Sequence, residues 1–201
     1  MYVLAQWAYF REHPLHTLHL WEGGLSAHGA LAGFLAALAW RARCQPSRWA
    51  AVDRFTPPLL LLQTAAWLSC WCAGCAYGRP VDIARWPLLA AFDWPDLYGV
   101  FLPRVPVQGL GVILSLALLV GAAWFRTRSL APGVLASAAL FLGALTDAGL
   151  QLLRGDEAWL WLGQRAALAA DLFFMMLGAA WFVLAWRGRI SISGRSPRRW
   201  A

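Results

Sequence analysis

Five apolar runs in the 201-residue chain are each long enough to cross a lipid bilayer. A transmembrane helix needs about 20 mostly apolar residues, with a range of roughly 17–25. The runs cover residues 24–41, 57–76, 107–125, 131–152 and 166–186. The pattern predicts an all-α fold, a polytopic membrane helix bundle with about five transmembrane helices.

The arginines between these runs predict which side of the membrane each loop faces. Eleven lie in loops 41–56 and 126–130 and in the C-terminal segment, which fall on one side if there are five spans. The opposite loops, 77–106 and 153–165, hold five arginines mixed with five acidic residues. Cytoplasmic loops carry an excess of basic residues. We therefore expect a multi-pass protein with a cytoplasmic C-terminus.

The long loop 77–106 is too apolar for a solvated linker. It carries Trp86, Trp94 and Tyr98 among five prolines. Residues 83–92 and 94–102 are predicted to form short interfacial elements on the outer leaflet. A plain ordered loop with aromatic anchors explains the same composition. The sequence leaves both interpretations open.

The composition agrees with a membrane protein and excludes a nucleic-acid partner. Hydrophobic residues make up 60% of the chain, against roughly 45–50% apolar residues in soluble domains. The net charge of +7 comes from arginines placed in the loops, as topology determinants are. We expect one transmembrane domain over residues 1–189 and a disordered, basic cytoplasmic tail over residues 190–201.

The polar residue that most suggests chemistry is His28, at the mouth of the first predicted span. Ionisable residues at membrane depth are costly and usually functional. A histidine has an ordinary pKa of about 6.5, which suits work as a general base. A structural hydrogen bond between packed helices is the alternative, and both remain open.

Three of the four cysteines, Cys70, Cys72 and Cys75, fall at the end of the second apolar run. The pattern lacks a fourth ligand of known spacing, and zinc sites usually have four. Their positions do not suggest a disulfide framework. We predict that they pack in the core, with a redox-active or acylated thiol as the alternative, and we predict no metal and no other cofactor.

Six short motifs in order along the chain resemble those of the prolipoprotein diacylglyceryl transferases, bacterial inner-membrane enzymes. The first is Trp21-Glu22-Gly23-Gly24, followed by Ser26 and His28-Gly29. The other matches are Asp53 before Pro57 or Pro58, then Gly74, Tyr77, Gly78 and Arg79, then Pro103-Arg104-Val105-Pro106-Val107-Gln108, then Arg154-Gly155-Asp156-Glu157, then Gly163-Gln164.

The chain also departs from the family pattern at polar positions. Two family arginines correspond to Trp67 and Asp147 here, and a family asparagine corresponds to Cys70. The remaining departures are Cys75, Leu110, Gly111, Gly143 and Gln151. The family begins with an additional span and a half before the point where Met1 aligns, which implies either a truncated sequence or a shortened relative.

The resemblance implies transfer of diacylglyceryl from phosphatidylglycerol to the lipobox cysteine of lipoprotein precursors. This chemistry needs a base that forms the thiolate and cationic donors that hold the phosphate. His28 is the implied catalytic base. The implied substrate-binding residues are Gly24, Ser26, Gly29, Gly78, Arg79, Arg104, Gln108 and Arg154.

A second hypothesis is a catalytically inactive relative that binds lipid or a partner membrane protein. Losing one charged donor from a buried anion site costs roughly 3–4 kcal/mol. Here Trp67 and Asp147 stand in place of two such donors. Asp147 and Gln151 are four residues apart on one helix face, where a polar interhelical contact explains them. Arg104 is the best candidate to replace the missing arginines.

Overall fold

The computed structural model describes residues 7–18, 27–42, 48–82, 84, 92–128 and 130–193. The chain forms two compact units, Met1–Arg48 and Trp49–Ala201. The single transmembrane domain over residues 1–189 stays a prediction.

The described residues of the first unit form two helices and a short helical turn. These are α1 (Trp7–Glu12), a 3-10 helix (Pro14–Leu18) and α2 (Ala27–Ala42). At about 1.5 Å per residue, α2 is about 24 Å long, somewhat shorter than the roughly 30 Å hydrocarbon core of a bilayer. The predicted span 24–41 begins among residues that lie outside the described ranges.

The described part of the second unit contains four longer helices, α3 (Arg48–Ala73), α4 (Val107–Phe125), α5 (Val134–Leu153) and α6 (Ala166–Ser193). Among the described residues, three segments are long and apolar enough to cross a membrane, namely Val107–Phe125, Val134–Leu153 and Ala166–Arg187. They coincide with the last three predicted spans. The all-α membrane helix bundle is confirmed.

The α3 helix covers most of the second predicted span, residues 57–76, and continues back to Arg48 through Pro57 and Pro58. At the other end of the chain, α6 extends to Ser193. The first residues of the predicted tail, 190–193, therefore continue the last helix, and residues 194–201 lie outside the described ranges.

Within the described ranges, two small antiparallel hairpins lie between the helices. Strand β1 (Phe92–Pro95) pairs with β2 (Phe101–Arg104), and β3 (Leu160–Trp161) pairs with β4 (Gln164–Arg165). The predicted element over residues 94–102 is therefore part of a β-hairpin. Most of the companion element, residues 83–92, lies outside the described ranges.

The helices of the second unit pack closely, and α5 lies against both α4 and α6. On α6, a Cβ atom at Gly178 would lie 2.7 Å from the backbone nitrogen of Phe141 on α5. One apolar core joins Trp67, Val107 and Leu150. Because the backbones of α5 and α6 approach so closely at Gly178, a larger residue there would force them apart.

Asp53, the first residue of the second family motif, connects α3 to the start of α5. Its carboxylate accepts hydrogen bonds from the backbone N–H groups of Gly133 at 2.7 Å and Ala136 at 2.9 Å. A carboxylate in this position satisfies donors that the first helical turn leaves unpaired. The role of Asp53 in this structure is therefore structural.

Candidate functional site

The candidate site is built around residues 77–81, which we call the central segment. On one side it is bonded to the end of α5. The N–H of Arg79 donates to the carbonyl of Leu153 at 3.0 Å, and the N–H of Gly155 donates to the carbonyl of Tyr77 at 2.9 Å. Gly78 and Arg154 face each other in an antiparallel bridge.

On its other side the central segment is bonded to β2 and the residue that follows it. The N–H of Val105 donates to the carbonyl of Arg79 at 3.2 Å, and the N–H of Val81 donates to the carbonyl of Pro103 at 2.9 Å. We use the name loop platform for the central segment, the β1–β2 hairpin and residues 154–165. Four of the quoted motifs contribute residues to this platform.

Two glycines allow the strands of the platform to approach one another. A Cβ atom at Gly78 would lie 2.1 Å from the carbonyl oxygen of Val105. A Cβ atom at Gly155 would lie 2.7 Å from the Cα of Arg79. Both neighbours are backbone atoms, which cannot rotate away. The described role of Gly78 is therefore close backbone packing, and its predicted part in substrate binding stays a prediction.

Arg104 contacts the central segment at Gly78 and forms a buried ion pair with Asp96. Its Nη2 donates to the Asp96 carboxylate at 2.7 Å, and the two side chains are 10% and 5% exposed. Its Nη1 also donates to the carbonyl of Gly78 at 3.4 Å. The buried Nε has no hydrogen-bond partner among the described residues. Asp96 thus neutralises much of the charge of Arg104.

Asp96 is itself fixed by the turn of the β1–β2 hairpin. One carboxylate oxygen accepts hydrogen bonds from the backbone N–H groups of Tyr98 at 2.9 Å and Val100 at 3.0 Å. Its other oxygen is the one that meets Arg104. The hairpin turn therefore sets the position of the arginine.

Tyr77 covers the Arg104 guanidinium, whose central carbon lies 4.4 Å from the centre of the phenol ring. The pKa of the Tyr77 phenol is raised above its ordinary value, first by desolvation and then by the Asp96 carboxylate, which outweigh the lowering by Arg104. The phenol is therefore protonated, and able to donate a hydrogen bond, throughout the neutral pH range.

A second arginine cluster lies at the end of α5. Arg154 donates to both carboxylate oxygens of Asp156, with its Nε at 2.8 Å. Arg165 also binds this carboxylate, at 3.2 Å, and donates to the backbone carbonyl of Asp156. One acid thus holds two arginines, and the cluster keeps a net positive charge.

Arg79 differs from the other two predicted arginines because its side chain is exposed. No carboxylate pairs with it among the residues that the structure describes. Of the three, it is the guanidinium best placed to meet an anion from outside the protein.

Gln108 and a disulfide fix the chain between α3 and the central segment. The Nε2 of Gln108 donates to the carbonyl of Cys75 at 3.0 Å. Cys75 is joined to Cys70 by a disulfide, and their Cα atoms are 4.7 Å apart. Our expectation that these cysteines only pack in the core was wrong. The third cysteine of this group, Cys72, is free and exposed.

Three of the departures from the family pattern meet where α3, α4 and α5 approach one another. Asp147 accepts hydrogen bonds from Gln63 at 3.0 Å and from the indole of Trp67 at 3.2 Å. A Cβ atom at Gly111 would lie 2.3 Å from the Trp67 ring, so the glycine makes room for the indole. We call Gln63, Trp67, Gly111 and Asp147 the interhelical cluster. The polar interhelical contact predicted for Asp147 is observed.

Gln151, which shares the helix face of Asp147, is buried. Its Oε1 has no hydrogen-bond partner within the described part of the chain.

His28 is the second residue of α2, in the first compact unit, and its side chain is half-buried. Gly29 follows it and is also half-buried. Gly24 and Ser26 lie outside the described residues. The catalytic role of His28 and the binding roles of the three other residues stay predictions.

Sequence reasoning did not single out Asp96 as a site residue, although it fixes Arg104. A signal was present in Asp96-Leu97-Tyr98-Gly99, because aspartate followed by glycine after a proline marks a turn. The pairing of that turn with Arg104 depends on the hairpin register, which the sequence does not reveal.

Comparison with known proteins gives one consistent family. Residues 1–185 match the family described as prolipoprotein diacylglyceryl transferase. Similar proteins named phosphatidylglycerol–prolipoprotein diacylglyceryl transferase occur in Mannheimia succiniciproducens, at 29% identity over 95% of this chain and 71% of that protein, and in Trichormus variabilis, at 31% identity over 92% and 67%.

Another protein of that name, from Polaromonas, is 33% identical over 60% of this chain and 42% of its own length. The matches thus span between about two fifths and seven tenths of these relatives. Because the family match covers most of its length, the chain belongs to the prolipoprotein diacylglyceryl transferase family.

Proposed function

We propose that this protein transfers the diacylglyceryl group of phosphatidylglycerol to the lipobox cysteine of lipoprotein precursors. The observation that carries the proposal is the loop platform, which gathers Gly78, Arg79, Arg104 and Arg154 from three motifs at one end of the bundle. The names of the relatives give the same reaction.

In the proposed reaction, His28 takes the proton of the cysteine thiol. The sulfur then forms a bond to the glyceryl carbon, and the carbon–oxygen bond to the phosphate breaks. Glycerol phosphate leaves with the electron pair. Charge grows on the phosphate during this step, so a cationic donor beside it lowers the barrier.

Arg79 is the donor we assign to that phosphate, because it is exposed while Arg104 and Arg154 are held by carboxylates. We assign the buried Nε of Arg104, which has no partner among the described residues, as a second donor to a phosphate oxygen that enters the platform. In this proposal Arg79 and Arg104 replace the two family arginines found here as Trp67 and Asp147.

We place the protein in the bacterial inner membrane, with the loop platform outside and the C-terminus in the cytoplasm. The arginine-rich loops support this orientation. The Cys70–Cys75 disulfide, which leads into the central segment, supports it independently, since disulfides persist in oxidising compartments such as the periplasm.

The test is transfer of radiolabelled diacylglycerol from phosphatidylglycerol to a lipobox peptide by the purified protein. We expect His28→Ala to lose about 10²–10⁴ in rate, as for a general base, and Arg79→Ala to lose about 10²–10³. The matched control is Arg126→Ala, an exposed arginine at the opposite end of α4, with an unchanged rate. A wild-type rate in His28→Ala would overturn its assignment.

The interhelical cluster favours the second candidate, a catalytically inactive relative that binds lipid. Two positions that carry arginine in the family are occupied here by Trp67 and Asp147, which bond to each other. If the folded protein binds phosphatidylglycerol but transfers no label to the peptide, this second function replaces the first.

A further inference from the structure

The β3–β4 hairpin presents four consecutive large apolar side chains that are exposed within the part of the chain that the structure describes. Trp159, Leu160, Trp161 and Leu162 are 52%, 59%, 58% and 86% exposed. We call these four residues the apolar tip. Runs of this kind on a protein surface mark contact sites for membranes or partners.

The apolar tip is held in place by its own hairpin. Leu162 and Gly163 form the turn with φ angles of 51° and 75°, as two-residue hairpin turns require. Leucine rarely adopts a positive φ. At the base, the N–H of Ala166 donates to the carbonyl of Trp159 at 3.0 Å, and Arg165 binds Asp156. The chain thus holds a bulky apolar residue at the most exposed point of a firmly anchored turn.

The hairpin lies at the boundary of two membrane spans. It begins shortly after α5 ends at Leu153 and leads directly into α6 at Ala166. The step from Trp159 to Leu162 spans three residues, about 10 Å at most in extended backbone, so the tip lies close to the helix ends. Exposed apolar residues continue along α6, as at Phe173. Exposed apolar residues thus occur both in the apolar tip and on the span that follows it.

The rest of the loop platform also has features that suit contact with a lipid surface. Leu97, Tyr98 and Phe101 of the β1–β2 hairpin are each more than half exposed. Exposed Arg79 lies in the central segment between the hairpins and suits the anionic phosphates of a lipid surface. Tryptophan and tyrosine are enriched where proteins meet the headgroup region.

We propose that the apolar tip inserts into the headgroup–acyl boundary of the adjacent leaflet and fixes the loop platform at headgroup depth. The insertion depends only on the membrane location of the protein and not on transfer activity. It keeps Arg79 at the level of the lipid phosphates.

The test is a spin label at Leu162→Cys in a Cys44→Ser, Cys72→Ser background, with the disulfide intact. The protein is reconstituted in vesicles of phosphatidylethanolamine and phosphatidylglycerol. Collisions of the label with oxygen, which concentrates in the bilayer, are compared with collisions with a water-soluble nickel chelate. The matched control is Glu157→Cys, an exposed acid outside the tip.

We expect the label at position 162 to collide mainly with oxygen and the label at position 157 mainly with nickel. Equal nickel access at both positions would overturn the proposal. Protection of position 162 from both reagents would also overturn it, because the tip would then be packed against protein. A label at Trp161→Cys repeats the measurement if the first variant does not fold.

Discussion

The loop platform and the interhelical cluster differ in which charged residues they contain and in how those residues are paired. In the platform, Arg104 and Arg154 stand where the family motif has arginine, and each is held by a nearby carboxylate. In the cluster, the family arginines are absent, and Trp67 and Asp147 satisfy each other. The platform keeps positive charge at the end of the bundle, whereas the cluster between the helices carries none from arginine.

This contrast shows that the effect of several departures from a family pattern has to be considered for all of them together. Trp67 alone would collide with any side chain at position 111, and Asp147 alone would be a costly carboxylate between helices. With Gly111 and the donors of Gln63 and Trp67, the set forms a packed and hydrogen-bonded contact. The following variants test each region in turn.

The largest effect is expected for Asp96→Asn, which leaves the buried Arg104 without its carboxylate. Breaking a buried ion pair from one side costs about 3–5 kcal/mol. Thermal unfolding in detergent measures the change, and exposed Asp82→Asn serves as the control, within about 0.5 kcal/mol of wild type. An unchanged melting temperature for Asp96→Asn would mean that this pair does not support the platform.

Gly78→Ala should destabilise the platform by about 3 kcal/mol, because the new Cβ meets the carbonyl oxygen of Val105. The control is Gly149→Ala on α5, where a Cβ meets no atom within 4 Å. Equal melting temperatures for the two variants would contradict the close packing described for Gly78.

In the interhelical cluster, Asp147→Ala should cost about 2 kcal/mol, because Gln63 and Trp67 lose their acceptor. Asp147→Asn keeps an acceptor oxygen and should cost less. Equilibrium unfolding of both variants measures the difference. If the two variants are equally destabilised, the negative charge and not the hydrogen bonding matters.

The Cys70–Cys75 disulfide should contribute about 2 kcal/mol, as expected for a short closed loop. The double variant Cys70→Ala, Cys75→Ala removes it, and Cys72→Ala is the matched control. Melting temperatures with and without reductant check the result, since only proteins with the bond should respond to reductant.

The smallest effect is expected in the dependence of folding stability on pH. Because the pKa of Tyr77 is higher in the folded protein than its ordinary value of about 10, the folded state binds more protons above that pH. Stability should therefore fall as the pH rises from about 10 until the folded phenol ionises too. Tyr77→Phe should remove this part of the slope, measured as melting temperature between pH 9 and pH 11.

The last three membrane spans could be predicted because hydrophobic runs and their arginine boundaries are local features of the sequence. The predicted span 107–125 has the same limits as α4. The disulfide could not be predicted in this way. The turn after α3, with Gly74 at a φ of 70°, brings Cys75 back to Cys70, and this reversal depends on tertiary packing.

The hydrogen-bond partners of the site residues could not be predicted from the sequence either. The motifs identified Arg104 and Arg154, but their partners depend on strand register and on the turn after α5. The sequence also could not show that Trp67 and Asp147, eighty residues apart, would bond to each other.

The pairing of the central segment on both of its edges also constrains how the protein can move. Residues 77–81 are tied to the end of α5 and to β2 at the same time. A displacement of one neighbour either breaks several backbone hydrogen bonds or carries the other neighbour with it. We therefore expect these three elements to move together, and an opening that admits a lipid to arise in other parts of the chain.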